Sequence, residues 1–480
     1  MSENSPYKAT IGLEIHAELK THTKMFCNSR NNSDEKRPNT NICPVCMSHP
    51  GTLPVINREA VKHVMRVGLS VGGDIAEQTY FDRKNYFYPD IPKGYQISQY
   101  PHPIVSNGEL AGVELTRIHL EEDTAKSTHD TGSSSLVDFN RAGVPLMELV
   151  TEPVIHNAAD AVAFARELQL LLRYLGAGEA NMEKGEMRVE ANISISKTST
   201  LGTKVEVKNL NSFRAVERAI NYEIARHEKV LERGESVDQV TMGWDESKGK
   251  TFTQRAKENS HDYRYFPDPD LPTLDLSSED DLNLDTLKES LPELPSEKRA
   301  RYESTFGIKS EDIETYITSH VLGAFFEQVV EQLDSDKALI ALASNYITSD
   351  IIGLGRSNTA ESSIEGVGLI KAEGLAQLIR MVSAGELSSR GAKDILKIMF
   401  IEGGYPEIIA RDNDLLQKSN KDDLIPIAQG IIESNESVAN EYRNGKESSM
   451  QFFIGQGMKE TKGSANPKIL KEVFEELLQK

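Results

Sequence analysis

The chain has 480 residues, 38% hydrophobic and 27% charged, and a formal net charge of −20. At ~150 residues per domain the length suggests about three domains, and the acidic total argues against a protein that coats nucleic-acid phosphate generically. Three cysteines exclude a disulfide framework and fit a reducing compartment, no run approaches the ~18 apolar residues of a membrane span, and the Met-Ser-Glu-Asn-Ser-Pro start lacks the regions of a signal peptide, so a soluble, cytoplasmic protein is expected.

The first clear period is Ile11-Gly12-Leu13-Glu14-Ile15-His16-Ala17-Glu18, where apolar and polar residues alternate. Successive strand side chains point to opposite faces, so Glu14, His16 and Glu18 share one face and Leu13, Ile15 and Ala17 the other. Three later segments repeat the pattern: 117–122, 188–195 and 204–208. They predict a sheet packed on one side whose other side carries chemistry. Gly, Pro and Asn-rich turns join these strands. Asn157 is placed to cap a helix over Ala158–Tyr174, where Val162, Leu168, Leu171 and Leu172 recur at helical spacing, with Gly176 as its stop. Ser212 is placed to cap a second over Phe213–Glu232. The acidic stretch 277–296, with its Leu-Pro-Glu-Leu-Pro, suits a linker. Strand signals then vanish, and Val321–Leu333, Lys337–Tyr346, Glu373–Val382 and Ser389–Phe400 read as helices. Short helices follow, the last opened by Asn466 and Pro467 and running over Lys468–Leu478. The expected fold class is α+β: a mixed β-rich domain over 1–290, an all-helical domain over 291–408 and a small helical tail over 409–480.

The polar sets carry metal-binding and acid/base groups. Glu14, His16, Glu121 and Glu122 combine carboxylates with one imidazole. Oxygen donors favour Mg²⁺, while the imidazole would also suit Mn²⁺ or Zn²⁺; a solvated strand face with an incidental histidine is the plain alternative. Arg83, Lys84, Tyr86, Phe87 and Tyr88, continuing to Lys93, Tyr95 and Tyr100, interleave cations with aromatics. Such a stretch can stack a base and hold phosphate, or be a packed loop with tyrosine hydroxyls bonded to backbone. Lys257, after Arg255, and the stretch from Asp262 to Asp270 have similar character, although the prolines there suit a rigid loop. Cys27, Cys43 and Cys46 give three legs of a structural zinc site, with His22 and His49 nearby and no obvious fourth ligand; reduced, metal-free thiols are the alternative. A phosphate-binding Gly-x-x-x-x-Gly-Lys loop, a Gly-x-Ser-x-Gly elbow and a Rossmann fingerprint are all missing.

Taken in order, these segments resemble the B subunit of the aspartyl/glutamyl-tRNA amidotransferases. The resemblance rests on Ile11–His16, Cys43-Pro44-Val45-Cys46, Asp82–Asp90, Tyr95-Gln96-Ile97-Ser98-Gln99, His119-Leu120-Glu121-Glu122-Asp123 and Val137–Arg141. It continues through Val150-Thr151-Glu152-Pro153, Lys208–Phe213, Asp262–Pro267 and Thr461–Pro467, and so covers essentially the whole chain. It implies a cradle domain carrying the site, a helical domain and a tail that touches the tRNA body. It implies a ligase that uses ATP and Mg²⁺ to phosphorylate the side-chain carboxylate of misacylated Glu-tRNA(Gln) or Asp-tRNA(Asn). Ammonia from an amidase-type A subunit then displaces phosphate, and a small C subunit holds the assembly together.

By the same resemblance Glu14, His16 and Glu122, with Glu121, hold Mg²⁺ or conduct ammonia, and Lys84 neutralises phosphate. Arg83, Tyr88, Glu190 and Lys257 are the expected nucleotide contacts, and replacing Glu122 is expected to depress ATP cleavage. The chain departs from the family where Ser29 stands in place of a second Cys-x-Cys cysteine, and where Glu190 replaces the Asp of an Asp-Ala-Asn run. Lys459 and Lys462 in the tail are available for tRNA phosphate. A noncatalytic tRNA-binding scaffold and a free-standing metallohydrolase using Glu14, His16 and Glu121 are the competing readings.

Overall fold

The computed structural model describes residues 5–32, 34–131, 134–256, 263–277, 280–358, 366–417, 421–461 and 465–479. The chain divides into two compact units, Met1–Pro295 and Ser296–Lys480. The α+β class expected from the sequence holds: strands and helices mix in the first unit, and the second is built of helices.

In chain order the first unit carries β1 (Lys8–Glu18), α1 (Arg58–Ser70), β2 (Asp74–Ile75), β3 (Gln78–Thr79), β4 (Asp82–Asn85), β5 (Tyr95–Ser98), β6 (Val105–Ser106), β7 (Glu109–Leu110), β8 (Val113–Glu122), β9 (Lys126–Thr131), β10 (Ser134–Asp138), β11 (Pro145–Thr151), α2 (Ala158–Tyr174), β12 (Met187–Ser196), β13 (Val205–Leu210), α3 (Phe213–Glu232), β14 (Val240–Asp245), β15 (Lys250–Ala256), β16 (Phe266–Pro267) and β17 (Leu274–Asp275). Among the described residues a ten-stranded sheet runs β15-β14-β13-β12-β1-β11-β8-β6-β2, with β7 paired to β8. The central strands are antiparallel, while β13 and β14 pair in parallel and are joined through α3, the helical crossover that such a pair needs.

Register explains the two faces. Ile15 pairs with Val189 and Leu149, and Leu13 with Ala191, so these apolar residues share one face of the sheet. They are buried there with residues of α1, α2 and α3 in one core. The opposite face receives the polar alternates. Both expected helix caps form: the Asn157 carboxamide oxygen accepts from the Asp160 amide at 2.8 Å, and Ser212 Oγ from the Ala215 amide at 3.0 Å. Gly176 ends the α2 region in the left-handed conformation, φ 65°.

Helix α1 and strand β11 are absent from the sequence reading. The first is fixed by Asn57 as cap and by buried Ala60, Val61, Val64, Met65 and Val67. The linker expected over 277–296 is partly corrected: Leu282 and Leu287 are buried in the core of the first unit, and a short helix spans Leu284–Glu289.

In the second unit Tyr316 stacks on Phe326 with centroids 4.2 Å apart, and its hydroxyl lies 3.0 Å from Ser344 Oγ. The run Lys337–Arg356 meets the length and mean hydropathy of a membrane span, but Ser344, Asn345, Thr348, Ser349 and Asp350 interrupt it, so it is not a continuous apolar run. Its Ile340, Ala343, Ile347 and Ile351 are buried, as in a core helix, and Asp350 pairs with Lys393 at 2.7 Å. Farther on, Leu424, Ala428, Phe453, Leu470, Val473 and Phe474 form a separate small core.

Candidate active site

The open face of the sheet gathers charge by register. His16 on β1 is the direct partner of Glu148 on β11, and Glu148 is the partner of His119 on β8. Direct partners share a face, and Glu14 and Glu121 lie two residues along from His16 and His119, so they join the same face. His16 Nε2 lies 3.3 Å from Glu148, 3.4 Å from Glu121 and 3.9 Å from Glu14. His119 Nε2 lies 3.5 Å from Glu148, which Arg117 approaches at the same distance. One donor atom each from Glu14, His16 and Glu148 falls within 4.8 Å of the others, as does one each from His119, Glu121 and Glu148.

Electrostatics make this a centre that attracts positive charge. Burial pushes the His16 imidazole down, but the hydrogen bond and field of Glu148, with Glu121 and Glu190, hold it up at about 9. Burial raises Glu14 to about 7, helped by Glu148 and Glu190. Burial also raises Glu121, opposed by His16 and Lys84. It would raise Glu148 too, but His119, His16 and Lys84 hold that carboxyl well below the usual range. Burial drives His119 down to about 4, so it is neutral at physiological pH. Its Nδ1 is buried with no hydrogen-bond partner among the described residues. A set of three carboxylates around imidazole fits a divalent cation, and the field that keeps a proton on His16 favours such an ion, which must displace that proton to use the nitrogen.

The row extends to β12 and β13. Glu190 is the partner of Glu14 and is bound by Lys208 at 2.7 Å. Lys208 also lies 3.8 Å from Glu206, whose other oxygen accepts from Thr241 Oγ1 at 2.8 Å.

Glu122 stands apart from this set, contrary to expectation. Adjacent strand residues face opposite ways, so Glu121 turns to the open face and Glu122 to the side of Ile118 and Leu120. There Glu122 pairs with Lys93 at 2.6 Å and accepts from the Ile97 amide at 3.0 Å. The expected trio Glu14, His16 and Glu122 is therefore replaced by Glu14, His16 and Glu148. Glu148 was missed by sequence reasoning, although a lone carboxylate inside the apolar run Pro145-Leu146-Met147-Glu148-Leu149-Val150 was a usable signal.

The aromatic-basic segment forms a small sheet, β16-β4-β5. Its β5 lies against β8: Ser98 Oγ donates to Glu121 at 3.3 Å, and the Gln96 side chain donates to the Glu122 carbonyl at 2.8 Å. Lys84 sits 5.0 Å from the Tyr263 ring centroid and 6.0 Å from that of Tyr86. Burial alone would lower its ammonium, but Tyr265, Glu121 and Glu148 hold it well above its usual value. Lys84 thus lies within the field of the centre's carboxylates. The Arg83 guanidinium is committed to Asp268 at 2.9 Å and Asp270 at 3.0 Å, over the Tyr95 ring. Tyr88 is exposed, with its ring 6.3 Å from that of Tyr86. Glu190 is held by Lys208, and Lys257 lies outside the described residues.

Cys27, Cys43 and Cys46 do converge, with their sulfurs within 4.8 Å of one another. Cys43 and Cys46 are 3.9 Å apart, close to the ~3.8 Å edge of a tetrahedron with Zn–S bonds of ~2.3 Å. Ser29 Oγ at 3.7 Å and the fully buried Lys24 ammonium at 3.8 Å approach Cys46 instead of a fourth thiol. His22 and His49 are not among the residues that form the cluster. Three corners of a zinc site are present, and the four-thiolate set is not.

Residues 9–280, which include the whole carboxylate–imidazole centre, match the GatB/GatE catalytic domain, and residues 324–478 match the GatB domain. The chain belongs to the GatB family. It is 40% identical to the B subunit of the aspartyl/glutamyl-tRNA(Asn/Gln) amidotransferase of Gloeothece citriformis, over 98% of both chains. It is 41% identical to the protein of the same name from Thermoanaerobacter pseudethanolicus, over 99% of this chain and 100% of that one. The Synechocystis relative, also so named, is 41% identical over 98% of both. Membership in the GatB family agrees with the resemblance that the motifs carried.

Proposed function

We propose that this GatB-family chain is the B subunit of an ATP-dependent ligase acting on misacylated Glu-tRNA(Gln), Asp-tRNA(Asn) or both. It phosphorylates the free side-chain carboxylate and directs ammonia onto the acyl phosphate, releasing phosphate and forming the amide. An amidase-type A subunit supplies the ammonia, a small C subunit secures the assembly, and the complex works in the cytoplasm. The observation that carries this reading is the convergence of Glu14, His16, Glu121 and Glu148 on one sheet face inside the region that matches the family's catalytic domain.

The chemistry needs such a place. Oxide is a poor leaving group, so a carboxylate must be activated before nitrogen can replace it. Activation joins two anions, ATP and carboxylate. Bound Mg²⁺ supplies charge neutralisation between them. Glu14, His16 and Glu148 are the donors proposed to hold it, with Glu121 alongside. Lys84, held protonated beside these carboxylates, is proposed to pair with phosphate. Residues 1–290 are proposed as the cradle, 291–408 as the helical domain and 409–480 as a tail touching the tRNA body, where Lys459 is available; Lys462 lies outside the described residues. Cys27, Cys43 and Cys46 are proposed to hold a structural zinc ion with an external fourth donor; metal analysis returning one zinc per chain supports this, and none refutes it.

The test is ATP cleavage by the reconstituted three-subunit complex, with misacylated and with correctly charged tRNA. Cleavage that depends on the misacylated form, and falls roughly 10²–10⁴-fold in Glu148→Gln, is expected. Tight tRNA binding without ATP cleavage in the unaltered complex would instead favour a scaffold.

A further inference from the structure

A second feature of the open face lies one step past His16. Arg188 on β12 is the direct register partner of His16, and so faces the same way. Its Nη2 donates to Asp123 Oδ2 at 2.9 Å. Asp123, two residues beyond Glu121, is buried. The same Oδ2 lies 3.4 Å from Nε of Arg141, and Oδ1 accepts from the Thr124 amide at 2.8 Å. Arg141 is itself fixed by backbone: Nε donates to the Thr124 carbonyl at 3.0 Å and Nη2 to the Ala125 carbonyl at 3.2 Å.

Two guanidiniums thus share one carboxylate at the border of an acidic centre, and Glu18 and Glu121 add to the negative field around Arg188. Arg141 gives Asp123 charge at 3.4 Å, with its Nε and Nη2 hydrogen bonds going to backbone carbonyls. Arg188 donates the side-chain hydrogen bond to that carboxylate, its side chain is 30% exposed, and among the described residues its guanidinium makes that one side-chain hydrogen bond. A guanidinium carries five N–H donors in a rigid fork, so most of its capacity is unused. The other cations on this face are engaged differently. Arg117 lies against Glu148 and Lys208 against Glu190, while Lys84 offers a point charge rather than a fork.

We propose that Arg188 is the seat of the acceptor's side-chain carboxylate, and that Arg141 and Asp123 position it. The assignment rests on the function proposed above: the carboxylate–imidazole set serves the nucleotide's metal, so the second anion needs its own cation. A planar fork matches a carboxylate through two parallel hydrogen bonds. It also holds the nucleophilic oxygens at a fixed angle to the phosphoryl group, which is where orientation lowers the barrier. Asp123 keeps the fork from swinging toward the carboxylates of the centre.

Three measurements on the reconstituted complex test this: thermal unfolding, equilibrium binding of ADP, and ATP cleavage driven by Glu-tRNA(Gln) or Asp-tRNA(Asn). Arg188→Ala and Arg188→Lys are compared with the unaltered complex. Failure of the unaltered complex to cleave ATP sinks the function proposed above and is seen before any variant is made. Given activity, ADP affinity is expected to stay within about threefold in both variants, while tRNA-driven cleavage falls roughly 10²-fold or more. Added guanidinium should restore part of the Arg188→Ala rate, because the side chain's place is then vacant. Arg188→Lys keeps the charge and is the variant to read if Arg188→Ala unfolds. It should stay slow, because the fork is lost. A parallel loss of ADP affinity would move the seat to a phosphate group and overturn the assignment. Normal cleavage in a folded Arg188→Lys would reduce Arg188 to a structural partner of Asp123 and overturn it too.

Discussion

Glu121 and Glu122 show how one peptide bond separates two roles. Both are buried carboxylates on β8, but one lies 3.4 Å from His16 and the other 2.6 Å from Lys93 on the opposite side. Their replacements should fail differently. Glu122→Gln leaves Lys93 nearly buried without its counter-charge, so it should lower folding stability by roughly 3 kcal/mol and change Mn²⁺ affinity little. Glu148→Gln takes a donor from the centre and should weaken Mn²⁺ binding at least tenfold. Denaturant unfolding and metal titration separate the two. The sequence showed that Glu14 and His16 share a face, because a period of two needs only one strand. It did not show which strand lies beside β1, and that neighbour, β11, supplies Glu148. Tertiary pairing is the missing information, and it put Glu122 in a set to which it does not belong.

At the scale of the element, α3 carries the clearest pH dependence. Glu223 is fully buried, accepts from Thr251 Oγ1 at 2.5 Å and from Arg226 at 2.7 Å, and lies 3.2 Å from His227. Burial pushes its carboxyl up, but the nearby His227 ring and hydrogen bonds from Arg226 and Thr251 win and bring it to about 2. A depressed carboxyl contributes stability above its unfolded value, near 4.5, and loses it as pH falls toward 2. The stability gap between the unaltered chain and Glu223→Gln should therefore shrink by about 3 kcal/mol over that window, measured by urea unfolding at successive pH values. A gap that stays constant would mean that Glu223 is not ionised in the fold. For α2, Asn157→Ala should cost about 1 kcal/mol through loss of the bond to the Asp160 amide. The long helices were legible because a capping residue, an apolar stripe and a glycine stop all lie within one local window. Helix α1 was not, since Asn57 follows a loop and its apolar residues Val61, Val64 and Met65 give only a short stripe. The short strands β2 to β7 hold two to four residues each, too few to show a period.

For the whole molecule, charge and modularity set the expectations. A chain at −20 can hold tRNA only through local contacts, so its affinity should fall gently with salt, with a log–log slope of about −3 rather than the steep slope of a basic binder. The tail's small core is separate, so Phe474→Ala should unfold the tail region, at about 3–5 kcal/mol, while leaving Mn²⁺ binding unchanged. Hydrogen exchange reads the first effect and metal titration the second. The family was legible because its motifs run through the whole chain, whereas the membership of the centre needed coordinates. The central claim is that Glu14, His16 and Glu148, and not Glu122, make the cation site. Electron paramagnetic resonance of Mn²⁺ titrated into the purified chain tests it most directly. The account predicts at least tenfold weaker binding in His16→Ala and Glu148→Gln and nearly unchanged binding in folded Glu122→Gln; equal losses in Glu122→Gln and Glu148→Gln, or full affinity in Glu148→Gln, would contradict it.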